Sequence, residues 1–100
     1  MESELSYEAF AKNANAKFMV QVDDTRKLEL ELIEVTEQKL TGNQEEFTLI
    51  FRGTNECFLE QGTRIFEHNE IGTFVLFIVP VDQNSNGFYY EAVFNRFLSS

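Results

Sequence analysis

The chain has 100 residues and a formal net charge of −9, from 17 acidic and 8 basic side chains. That length supports one domain. The acidic balance argues against nucleic acid, whose phosphates it repels, and against anionic membranes. A hydrophobic content of 43%, with one Pro and five Gly, argues against disorder.

The charge has two readings: it keeps a soluble protein soluble, or it forms an acidic docking face for a basic partner. Cys57 is the only cysteine, so no intrachain disulfide forms, which suits a reducing compartment. The N-terminal Met-Glu-Ser-Glu-Leu has neither the basic nor the apolar region of a secretory signal. No apolar stretch approaches the roughly 18 to 20 residues of a membrane helix. A cytoplasmic location is the expectation.

In chain order, residues 6–13 are the one helix candidate, with Ser6 as N-cap and Glu8 in the first turn. Leu5, Ala9 and Phe10 share a face. About two turns do not hold alone in water, so the helix must dock, and the sheet's second apolar face is a plausible place. Residues 17–22 alternate, with Phe18, Val20 and Val22 on one side, and Asp23-Asp24-Thr25 is turn chemistry. Residues 27–38 form the next strand. Leu28, Leu30 and Leu32 alternate with Glu29 and Glu31, and the phase slips near Ile33. A β-bulge over 32–34 explains the slip; so does loss of burial.

Thr41-Gly42-Asn43-Gln44 turns the chain into a strand over 46–52, with Phe47, Leu49 and Phe51 inward. Residues 54–62 form the longest irregular segment, anchored by Phe58 and Leu59. A short strand over 64–68 follows. The strand over 73–81 is the most apolar stretch and organises the rest. Phe74, Leu76 and Ile78 point one way and Val75, Phe77 and Val79 the other. Asp82 to Gly87 turns the chain into the last strand, 88–97. There Phe88, Tyr90, Ala92 and Phe94 share one face and Tyr89, Glu91, Val93 and Asn95 the other. The whole reads as a mainly β, six-stranded antiparallel meander with one short N-terminal helix. Closing it into a small barrel or sandwich removes exposed edges.

Chemistry finds little footing. His68, the only histidine, follows a strand and precedes a turn, where its ring can bond a turn backbone group. A hydrolase reading needs it to converge with Cys57 or with Glu67 or Glu70. No cation stands beside Cys57 in the sequence to activate its thiol. Metal spacing is absent. Asp82-Gln83-Asn84-Ser85-Asn86-Gly87 resembles the opening of a calcium loop, but Val93 stands where the closing carboxylate belongs. The glycines fall one per turn, so they cradle no phosphate. Glu29 and Glu31 lie on a solvent face, and Glu45, Glu46, Asp23 and Asp24 lie in turns. Neither cofactor nor metal is expected.

The aromatic excess is more informative. Rows of Phe can line a small-molecule-binding β-barrel, although six strands leave an interior that their own side chains fill. The second apolar row, Val75, Phe77 and Val79 with Tyr89 and Val93, is then a protein interface or the seat of the helix.

Several stretches together resemble an uncharacterised bacterial domain family. They are Tyr7-Glu8-Ala9-Phe10, Leu28 to Leu32, Phe47 to Gly53, Gln61-Gly62-Thr63, Glu67-His68, Gly72, Leu76 to Val81 and Tyr90 to Asn95. Arg64 stands where the family pattern has an aromatic residue. The resemblance implies no activity, because the shared residues are turn glycines, core apolars and one Pro. Members sit near genes for phage-tail-collar-like proteins, which implies a structural or assembly role. The resulting expectation is a non-enzymatic protein-binding or structural accessory domain. It works through a protein partner or self-association, with a small-molecule-binding barrel and a small hydrolase as alternatives.

Overall fold

The computed structural model describes residues 7–36 and 38–97. Within them one helix, α1 (Tyr7–Lys12), precedes seven strands. These are β1 (Lys17–Gln21), β2 (Lys27–Val35), β3 (Lys39–Thr41), β4 (Gln44–Gly53), β5 (Gly62–His68), β6 (Gly72–Asn84) and β7 (Gly87–Phe97). Leu5 and Ser6, expected as the start of the helix, lie outside the described residues, as does Glu37.

All pairings are antiparallel, and the order β2-β1-β5-β6-β7-β4 closes on itself through β2–β4, with β3 added beside β4. The expected barrel is therefore the form that closure takes. The order leaves consecutive pairing at β1–β5, at β4–β7 and at the closing β2–β4 pair, and the long 54–61 loop carries the chain from β4 to β5.

Closure depends on β2. Its first half pairs with β1, and its second half, from Glu31, pairs with β4. Between the Leu32–Phe51 and Glu34–Ile50 pairs the register shifts, leaving Ile33 extra. Of the two explanations for the phase slip, the bulge is the one realised, and such an insertion sharpens twist where a sheet bends. The strand expected over 27–38 stops at Val35 for a related reason. The Thr36 N–H still donates to the Thr48 carbonyl at 2.9 Å, but the Thr48 N–H turns to the Thr36 hydroxyl at 2.8 Å, and β3 then resumes the ladder. β4, β6 and β7 run longer than expected, since turn residues pair through their backbones whatever their polarity.

The inner rows are those the alternation requires. Phe18, Val20, Leu30, Leu32, Leu49, Phe51, Phe66 and Ile78 are fully buried. Along the interior the Phe66 ring lies 5.0 Å from Phe51, tilted, and 5.5 Å from Phe74, stacked. The helix corrects one expectation. Instead of lying on the second apolar face, it puts Phe10 among the inner rings of Phe18, Phe47, Phe74 and Phe94, at 5.5–6.4 Å. Burying that one ring contributes about 2–3 kcal/mol, which is how a six-residue helix holds.

The other end is closed differently. Leu59, from the 54–61 loop, is buried, and its N–H donates to the Tyr90 hydroxyl at 3.0 Å. Phe58, its expected co-anchor, is half exposed against Phe88. Arg64 faces this end half-buried, with Nη2 donating to the Glu60 carbonyl at 3.0 Å. Gly87 begins β7 at φ 144°, and a Cβ there would overlap the Gly53 carbonyl oxygen, so the hairpin crosses β4 only as glycine. Pro80 stands beyond the last β5 pair, Gly62–Ile78, at a second register shift, where a strand tolerates a missing donor.

β6 and β7 part company midway. Their register runs from the hairpin only as far as Val79 opposite Glu91. Beyond it, among the described residues, Gly72–Ile78 pair with β5 alone, and Ala92–Phe97 with β4 alone.

Candidate functional site

The outer face of β5, β6 and β7 carries an apolar patch. Val75 is 53% exposed, Phe77 51% and Val93 50%, and Ile65, directly opposite Val75, is 40% exposed. Strand alternation puts these side chains outside because Phe74, Leu76, Ile78 and Ala92 point in. Val79 is half-buried, opposite Glu91. Tyr89 stands apart. It is half-buried against Arg52 and Asp82, and its hydroxyl lies 3.3 Å from Asn84 Oδ1, so it belongs to the hairpin more than to the patch. Val75, Phe77, Val79 and Val93 thus share one surface around the split between β6 and β7.

Ile65 and Glu91 join this surface. Ile65 was findable, since the His68–Gly72 pair folds the β5–β6 hairpin and that symmetry sets residue 65 against 75. Glu91 is half-buried, with Val79 opposite it on one side and Ile50 on the other. Its cross-strand setting depends on β4–β7 pairing, which no local pattern reveals.

The chemical candidates do not converge. His68 Nδ1 accepts the N–H groups of Glu70 and Ile71, each at 3.1 Å, and the ring stacks on Phe18 at 4.5 Å. Its acceptor nitrogen is committed to the turn. Cys57 belongs to the opposite end of β5, with Arg26 and Tyr90 as electrostatic neighbours. β5 itself spans about 20 Å. Burial pushes the Tyr90 hydroxyl above its ordinary value, and Cys57 adds to the push. Asp23 caps the β1–β2 turn. The Thr25 N–H, then the Arg26 guanidinium, hold its carboxyl down to about 2.

The acid pairs dissolve into separate roles. Glu29 pairs with Lys17 at 4.0 Å, and Glu31 with Arg52. Glu45, expected in a turn, instead continues the inner row of β4 and is 2% exposed, with the Gln38 amide as a partner. The calcium-like 82–87 segment is a two-residue hairpin closed by Asn84 opposite Gly87. Among the described residues no group of three His, Cys, Asp or Glu side chains is placed to hold a metal ion.

A surface cleft of about 310 Å³ lies between Lys17, Glu29, Glu31, Arg52, Thr54 and Asn86. Its charges already neutralise each other in the two ion pairs named above. Among the described residues no helix is long and apolar enough to cross a membrane.

Fold and surface together define a small closed antiparallel barrel with an aromatic-filled interior and one apolar outer face. Residues 5–94 match a family model described as a domain of unknown function (DUF6916), and the chain belongs to that family. No curated protein matches the chain. No solved structure matches it either.

Proposed function

We propose that this domain performs no chemistry of its own and acts as a protein-binding or structural accessory domain through the outer face of β5, β6 and β7. The observation that carries the reading is the half exposure of Val75, Phe77 and Val93 on neighbouring strands, with α1 seated elsewhere. Contiguous exposed apolar side chains of this kind mark association. The partner is another protein or a second copy, in a cytoplasmic setting. A role in a bacterial phage-tail-like or fibre assembly is the form that the family resemblance suggests.

The alternatives draw less support. A small-molecule barrel needs interior space, and the interior here is occupied by Phe10, Phe18, Phe51, Phe66 and Phe74. A hydrolase needs His68 free, and its Nδ1 holds the 69–71 turn.

The test is solution mass by light scattering across a concentration series, for the natural chain and Phe77→Thr. Relaxation of the outer methyl groups by a soluble paramagnetic agent accompanies it. An assembly that Phe77→Thr dissolves, or a monomer whose Val75 and Val93 methyls are open to the agent, is the expected result. A monomer with those methyls shielded by its own chain contradicts the reading.

A further inference from the structure

The apolar patch surrounds an interruption in the barrel wall. Among the described residues, β6 from Gly72 to Ile78 has a ladder partner only on its β5 side, and β7 from Ala92 to Phe97 only on its β4 side. Along a strand, backbone N–H and C=O groups turn alternately to the two edges. Alternate residues of both segments therefore aim backbone donors and acceptors into the split. From inside, Phe10 spans it, touching Phe74 on one lip and Phe94 on the other. From outside, its lips carry Val75 and Phe77 on β6 and Val93 on β7, each about half exposed.

Glu91 stands where the two strands part, as the last β7 residue opposite β6. Among the described residues its side-chain carboxylate has no hydrogen-bond or ion-pair partner. Arg52, two residues from Ile50 along the adjoining outer row of β4, is already paired with Glu31. The split thus combines open strand edges, apolar lips and an uncompensated carboxylate at its closed end.

We infer that this split accepts an extended, basic and apolar segment of another protein, added as a strand along β6. The inference rests on the outer face being the binding surface. Unpaired edges are templates for strand addition, and pockets for alternate side chains give such additions their selectivity. The incoming strand places alternate apolar side chains over Val75 and Phe77 and a Lys or Arg against Glu91. Charge selects against a second copy, because both copies carry −9.

The test uses the full chain and three synthetic ten-residue peptides. The first alternates Val with Thr and carries two Lys at one end. The second has the same sequence with alternate backbone nitrogens methylated, and the third has Glu in place of Lys. Amide hydrogen exchange of the protein is read by NMR with and without each peptide.

In the free chain, alternate amides of residues 72–78 exchange fast. The first peptide protects them, and the methylated and acidic peptides do not. Glu91→Gln weakens binding of the first peptide about tenfold, whereas Asp24→Asn, an equal charge change in an exposed turn, leaves it unaltered. Equal binding of the methylated peptide, still abolished by Phe77→Thr, overturns strand addition while leaving the face as a docking surface. Split amides already protected in a monomer place the chain's own residues there and overturn the inference. A dimer that protects the same amides names a second copy as the occupant and also overturns it. No protection and no effect of Phe77→Thr removes both readings together.

Discussion

Two rows of one strand have nearly the same chemistry and opposite fates. Phe74, Leu76 and Ile78 on β6 are at most 5% exposed, while Val75 and Phe77 between them are about half exposed. The inner row is explained by folding. It meets Phe10, Phe18 and Phe66, and its burial supplies the main driving force. The outer row earns no such stabilisation from the described chain. Its hydrophobicity needs another cause, and a partner is the cause proposed. Single exposed apolar residues need no explanation; a cluster spanning three neighbouring strands around an open seam does.

The largest effects belong inside. Phe74→Ala or Phe10→Ala leaves a ring-sized void and lowers unfolding free energy by about 3–5 kcal/mol, read from urea denaturation. Gly87→Ala forces a Cβ into the Gly53 carbonyl and moves the β6–β7 hairpin. The changed chemical shifts of Gly53 and Phe88 report it, with a large fall in thermal midpoint. Tyr90→Phe strands the buried Leu59 N–H and costs about 1–3 kcal/mol.

Tyr90 also sets a pH dependence. Its folded value is raised above the unfolded one, so the neutral hydroxyl stabilises the fold below about pH 10, and that contribution is lost as pH rises through the raised value. The natural chain loses stability on alkaline titration, and Tyr90→Phe flattens that limb. His68→Gln removes the Nδ1 acceptor of two turn N–H groups and costs about 1 kcal/mol, read from urea denaturation. The smallest effects fall on the outer row. Phe77→Thr changes unfolding free energy by no more than about 0.5 kcal/mol, yet removes the proposed association, read as solution mass by light scattering.

Alternation made most of the wall legible, because a strand with one buried face must repeat every second residue. The rows at Phe47, Leu49 and Phe51 and at Phe74, Leu76 and Ile78 follow from it, and the bulge at Ile33 shows as a break in that repeat. His68 was readable as a turn residue from its place after a strand. What stayed hidden depends on partners distant in sequence. Phe10 inserts among rings drawn from β1, β4, β6 and β7, and nothing within residues 6–13 distinguishes that seat from the outer face. Glu45 is buried because β4 keeps its inward phase to its first turn, while its charge reads as surface. The split at Glu91 arises because β7 follows β4 and β6 follows β5, a choice made by barrel geometry.

The most direct test is urea unfolding of a Val75→Thr, Phe77→Thr and Val93→Thr triple variant. Threonine keeps the branched shape that suits strands while removing apolar surface. The account predicts an unfolding free energy within about 1 kcal/mol of the natural chain. A loss of about 3 kcal/mol or more would mean that the protein's own chain covers this face, and the outer row would then be core.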